Sequence, residues 1–156
     1  MEQRSQTPVS LDFRVRYAET DAMGVVYYAN YLVWFELGRT EWIRAHGVTY
    51  RQFEDQGVLL PALHASCDYK SSARYDDLVR IETTVTAFSR ARVGFAYRVL
   101  RVEPGPEVLL VVGRTEHAFI NREGRLVRLD RQSPFWMTLS AAVVARGGEA
   151  SGEGKR

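Results

Sequence analysis

Residues 17–36 read YAETDAMGVVYYANYLVWFE, and a change of period on either side of this stretch decides how the chain is built. Ahead of it, Leu11, Phe13, Val15 and Tyr17 alternate with Asp12, Arg14 and Arg16, the two-residue repeat of a strand with one wet face. Beyond it, Tyr31, Trp34, Phe35, Gly38, Trp42 and Ala45 recur at helical spacing until Gly47, with Asn30 as the expected N-cap. The stretch therefore turns a strand into a long helix. A glycine at mid-helix costs about 1 kcal/mol relative to alanine, so Gly38 predicts the close approach of another backbone.

Working outward, Thr49 and Gln52 form a capping-box pattern for a short second helix ending at Gly57. From Val58 on, strand-like runs are expected at residues 59–69, 78–88, 92–102, 108–121 and 126–129, with Gly105 and Gly124 in turns. The order of strand, helix, small helix and antiparallel meander predicts an α+β domain in which one helix packs on a strongly curved sheet. The expected division is a flexible N-terminus at 1–10, the folded domain at 11–140, and a C-terminal extension at 141–156. The last part of that extension, RGGEASGEGKR, has the composition of a disordered tail.

The composition narrows the class. With 156 residues, 46% of them hydrophobic and 12% aromatic, the chain fits one compact domain and is not a disordered protein. A net charge of +2, without a zinc-finger, RRM or helix-turn-helix pattern, argues against a nucleic-acid partner. Arginine supplies nearly all the positive charge, the only lysines being Lys70 and Lys155, which favours bidentate contacts to phosphate or carboxylate. Cys67 stands alone, so no internal disulfide is expected. His46, His64 and His117 lack metal-ligand spacing, and neither metal nor cofactor is expected. No apolar run approaches the ~20 residues of a membrane span and no apolar leader opens the chain, which predicts a soluble cytoplasmic protein.

The turn also carries the chemistry. Asp21 stands between strand and helix, Gly24 lets backbone approach a ligand, and the amides of residues 28–32 lie near the helix start. Such amides hold a developing oxyanion, while a carboxylate attacks a carbonyl or deprotonates water. An aspartate before a helix equally serves as a turn or capping residue.

The pattern Y-x-x-T-D-x-x-G-V-V-Y-Y-A-N-Y-L-x-W-F-E resembles the signature of hotdog-fold acyl-CoA thioesterases of the 4-hydroxybenzoyl-CoA thioesterase type. The similarity continues through GRTEWIRAHG (38–47) and CDYKSSARYDDLVRIET (67–83), and covers residues 11–129. The resemblance implies a long central helix wrapped by five or six antiparallel strands. It also implies a homodimer with active sites at the subunit interface, pairing into a homotetramer. The implied reaction is hydrolysis of an acyl-CoA to a carboxylic acid and coenzyme A. Asp21 would be nucleophile or general base, and the Tyr28 amide would polarise the carbonyl where other members place a histidine. Tyr17, Gly24, Val25 and Tyr31 of the signature are expected substrate contacts. Glu36 falls where one branch binds the hydroxyl of an aromatic acyl group, although pairing with Arg39 is an equally local use. His64 falls near the implied acyl pocket, and Arg74 in a turn near the active site.

Coenzyme A is rich in phosphate, so guanidinium groups are expected at the mouth of the site. Residues 83–102 contain no acid but include Arg90, Arg92, Arg98 and Arg101. Arg92 and Arg98 share a strand face opposite Phe95, Tyr97 and Val99, either as a phosphate-binding row or as an ordinary solvated face. Arg90 and Arg92 are the expected substrate-binding arginines of this segment. Two other functions compete: a non-catalytic acyl-CoA-binding or regulatory module, and a hydratase, for which the signature segment lacks the acid-base histidine.

Overall fold

The computed structural model describes residues 7–146; the rest of the expected flexible N-terminus, 1–6, and of the expected tail, 147–156, lies outside the described residues. In chain order the elements are β1 (Val9–Arg14), α1 (Asn30–Ala45), α2 (Tyr50–Asp55), β2 (Ala62–Tyr69), β3 (Leu78–Phe88), β4 (Arg92–Glu103), β5 (Val108–Ala118) and α3 (Pro134–Arg146). The strands form one antiparallel sheet in the order β1-β3-β4-β5-β2. This is the expected α+β architecture, a long helix against one face of a five-stranded sheet.

Alternation makes the sheet two-faced. Val79, Ile81, Thr83 and Val85 of β3, and Val93, Phe95, Tyr97 and Val99 of β4, are buried, while Arg92 and Arg98 lie on the exposed face. The buried row meets Trp34, Phe35 and Trp42 of α1, which packs chiefly along β1 and β3. Two glycines allow this approach. A Cβ on Gly38 would overlap Thr83 Oγ1 and stand 2.9 Å from Ile81 Cγ2, so the helix comes close to sheet side chains rather than to another backbone. A Cβ on Gly113 would overlap the Phe35 ring, which stacks on Tyr97 at 4.3 Å.

Several boundaries differ from the sequence reading, each for a local reason. β1 begins at Val9 and stops at Arg14, not at Tyr17, because the Arg16 amide donates to the Glu19 carboxylate at 2.8 Å and Tyr17–Glu19 forms a 3-10 turn. Asn30 is not the N-cap: Ala29 occupies that place, and the Asn30 side chain donates instead to the Glu19 carbonyl at 2.8 Å. The expected strand at 126–129 is reduced to an isolated bridge between Ile120 and Leu126, followed by single bonds to Phe119 and Arg90. Helix α3 was not anticipated. It starts at Ser133-Pro134, where the Ser133 hydroxyl accepts from the Trp136 amide at 3.2 Å and proline occupies the first helical position. The Thr49–Gln52 capping box is formed as read.

Candidate active site

Residues 20–28 leave the 3-10 turn as a tight loop closed by an antiparallel bridge between Thr20 and Val26. Inside it the Asp21 amide donates to Val25 O and the Gly24 amide to Asp21 O, both at 2.9 Å. Gly24 has φ +78°, a conformation that glycine adopts without the Cβ penalty. The Met23 amide donates to Asp21 Oδ1 at 2.8 Å, an Asx turn that fixes the carboxylate. Asp21 Oδ2 takes no donor among the described residues. One oxygen thus holds the rotamer and the other is left for chemistry.

The loop then meets the helix start. The Tyr27 amide donates to Glu19 O and the Asn30 amide to Tyr27 O, both at 2.9 Å, whereas the amides of Tyr28 and Ala29 have no partner among the described residues. These are orphan donors of the kind every helix start carries, at the positive end of its dipole.

A second wall comes from residues 69–74, the last residue of β2 and the turn after it. The Val26 amide donates to Ala73 O at 2.9 Å, and the Tyr69 hydroxyl donates to Tyr28 O at 2.9 Å. Between the walls lies a cleft of about 310 Å³ lined by Asp21, Met23, Val25, Val26, Tyr28, Tyr31, Tyr69, Lys70, Ser71 and Ser72. Burial pushes the Tyr31 phenol up to about 12, against a hydrogen bond with the Ala73 backbone that lowers it. Burial likewise raises the Tyr69 phenol, helped by Cys67 beside it. Both are neutral at physiological pH and act as hydrogen-bonding groups.

The cleft brings together Asp21, Val25, Tyr28 and Tyr31 of the residues singled out by sequence, with Gly24 inside the same loop. Arg74 stands at its edge, its guanidinium 3.8 Å from where a Gly24 Cβ would be. Tyr17 is exposed and packs edge-on against Tyr75 at 5.7 Å, outside the cleft lining. Glu36 lies elsewhere, in a separate cleft of about 440 Å³ with Arg39, Thr40 and residues 58–60, and makes no ion pair with Arg39 among the described residues. His64 is exposed on β2 opposite Glu116.

Arg90 and Arg92 are not brought to the cleft within one chain. Arg92 pairs with Ala118, seven residues along β4 from Val99, and Val99 reaches Tyr69 through Val111 of β5; seven strand residues span about 23 Å. Arg90 donates through Nε to Leu129 O at 2.7 Å and so pins the segment ahead of α3. His117, with Thr115 and Tyr97, forms a buried hydrogen-bonded row that ends on Leu60 O. Burial and then the Arg39 charge hold His117 below the usual histidine range. No group of three metal-ligating side chains occurs among the described residues.

Sequence reasoning missed Lys70 and Tyr69 as cleft residues and Glu19 as its support. Lys70 and Tyr69 lie within the stretch 67–83, whose turn was singled out for Arg74 alone. Glu19 gave no signal beyond its place two residues before Asp21.

Comparison with known proteins places these features in context. The family model described as the thioesterase-like superfamily matches residues 15–143. YneP of Bacillus subtilis is 33% identical over 128 residues, 81% of this chain and 91% of YneP. The acyl-CoA thioesterase YbgC of Haemophilus influenzae is 39% identical over 93 residues, 59% of this chain and 68% of YbgC. The crystal structure of a DHNA-CoA thioesterase from Staphylococcus aureus superimposes with a TM-score of 0.81 at 32% identity, covering 92% of this chain and 97% of that one. No helix among the described residues is long and apolar enough to cross a membrane.

Proposed function

As a member of the thioesterase-like superfamily, the chain is an acyl-CoA thioester hydrolase with the hotdog fold, and we propose that it hydrolyses its substrate in the cleft between residues 20–28 and 69–74. The observation that carries this assignment is the pairing, in a single cleft, of Asp21, one of whose carboxylate oxygens takes no donor among the described residues, with the amides at the start of α1 that have no partner among them. The thioester carbonyl would accept hydrogen bonds from the neighbouring amides of Tyr28 and Ala29 at the helix start. Asp21 would then attack the carbonyl carbon to give an acyl anhydride, or take a proton from the water that attacks it. Both routes expel the thiolate of coenzyme A. In the first, water then hydrolyses the anhydride, freeing the carboxylic acid and restoring the Asp21 carboxylate; in the second, the attacking water becomes part of the acid directly.

Few groups suffice for this reaction. A thiolate whose thiol has a pKa near ~8.5 leaves without strong acid assistance, and one well-placed oxyanion donor is worth about 3 kcal/mol in known hydrolases. Lys70 and Arg74 at the cleft edge suit the phosphates of coenzyme A. Glu36 belongs in this reading only if a second subunit brings the acyl end of the substrate to its separate cleft.

That possibility is part of the proposal: two chains pair through β2 as a homodimer, and dimers pair as a homotetramer. Support comes from β2 itself, an edge strand exposed on both faces apart from half-buried Cys67, and from exposed Leu32, Val33 and Leu37 on α1. A single thiol suits a reducing compartment, and the cytoplasm is the proposed location.

The test is release of free thiol from a panel of short, medium, long and aromatic acyl-CoAs. Catalytic release from at least one is the expected result. Tight binding of acyl-CoA with no release over hours would overturn it in favour of a binding module.

A further inference from the structure

We propose that Tyr69 is a positioning residue, whose hydroxyl orients and polarises the backbone turn that stabilises the reacting carbonyl oxygen. The inference rests on the reading given above of Asp21 and of the Tyr28 and Ala29 amides as donors to the reacting carbonyl oxygen. Tyr69 is the last residue of β2 and lies 41 positions from Tyr28, yet its hydroxyl donates to Tyr28 O at 2.9 Å. That carbonyl is left out of the regular helical ladder, since the Leu32 amide that would reach it donates to Ala29 O instead, at 3.1 Å.

A peptide group is one polarisable unit, so a donor on its oxygen makes its N–H a better donor and fixes the plane of the amide. The bond from Tyr69 acts in this way on the peptide that carries the Ala29 N–H. The preceding peptide is treated alike: Tyr27 O accepts from the Asn30 amide at 2.9 Å, and its N–H is that of Tyr28. Two consecutive amides thus carry a donor on the oxygen side and no partner, among the described residues, on the hydrogen side. The first is supported by the helix itself. The second depends on Tyr69.

The phenol is held for this task. Its ring lies edge-on to Tyr28 at 6.4 Å and to Tyr31 at 5.6 Å. Tyr69 also lines the cleft, so the alternative is a side chain that merely forms its wall. The two roles separate kinetically. A wall contacts bound substrate and transition state equally and acts on KM, whereas support for an oxyanion donor acts where charge develops and appears in kcat.

The experiment compares Tyr69→Phe, which keeps the ring and removes only the hydroxyl, with Tyr69→Leu, wild type and Asp21→Asn on the best acyl-CoA of the panel. Tyr69 is half exposed, and melting curves confirm that each variant is folded. For Tyr69→Phe, kcat should fall about 5- to 20-fold with KM within about twofold of wild type. Tyr69→Leu should show a similar loss in kcat and a raised KM. Unchanged kcat in Tyr69→Phe, with or without a change in KM, would overturn the positioning role while leaving the active-site assignment intact. A fully active Asp21→Asn, or a wild type without turnover, would instead remove the assignment, and the inference with it.

Discussion

Glu19, two residues before the proposed catalytic aspartate, is 6% exposed and fully engaged. Oε1 accepts from the Arg16 amide at 2.8 Å and from Arg16 Nε at 3.2 Å, and Oε2 accepts from Trp34 Nε1 at 2.6 Å. Its carbonyl takes the Tyr27 amide and the Asn30 side chain. One residue therefore ties the strand end, the helix start and the core tryptophan together beneath the Asp21 loop. Burial raises the carboxyl, but the hydrogen bonds from Trp34 and Arg16 together outweigh it and hold the group below the ordinary glutamate value of 4.5. A carboxyl depressed in the folded state contributes stability that is complete above its unfolded value and is lost as pH falls through the folded one. In urea unfolding from pH 7 to pH 3, wild type should therefore lose stability below about pH 4.5. Glu19→Gln should be less stable at pH 7 by about 1–3 kcal/mol and flatter over the acid range. Parallel profiles for the two proteins would show that Glu19 contributes nothing specific.

At the scale of elements, β2 is the strand proposed to pair with a second chain. It pairs with β5 on one side only, shifts register between Ala62 and His64, and exposes Leu63 and Tyr69 along its free edge, and an exposed apolar edge of this kind is a template for a second strand. Sedimentation equilibrium should give a mass of two chains or a multiple, and Leu63→Lys should shift the distribution toward monomer. A monomeric wild type would contradict pairing through β2. The other elements show what local pattern conveys. β3 and β4 were legible because alternating residues meet the core on one face only, and α2 because its cap is made by neighbours in sequence. The segment at 126–129 has the same alternation, but its amides are spent on Phe119 and Arg90 instead of a continuous ladder. α3 went unseen because an apolar run after Ser-Pro reads as a helix only once its cap is recognised. In the proposed active site, Asp21 and Tyr28 were singled out through a signature that resembles that of a known family. Tyr69 was not, because its one decisive bond crosses between distant segments.

Across the whole molecule, the two ends of the helix-on-sheet layer are built for different work. At the end formed by the β3–β4 turn, α2 and α3 close the core, with Phe53 stacked on Phe135 at 4.6 Å and Phe88 on Trp136 at 5.2 Å. At the other end no α-helix among the described residues closes the layer. Two loops meet instead, joined by the bonds from Val26 to Ala73 and from Tyr69 to Tyr28, and the cleft between them holds the carboxylate and the helix start. Aromatic packing at one end thus supports an open cleft at the other. The central claim is that the Asp21 carboxylate performs the hydrolysis there, and Asp21→Asn tests it most directly, since the amide keeps the size and the bond to Met23 but loses the negative charge. Measured by thiol release on the preferred acyl-CoA, kcat should fall by about 100-fold or more while affinity for the acyl-CoA stays within a few-fold; an Asp21→Asn enzyme that turns over at the wild-type rate would contradict the account.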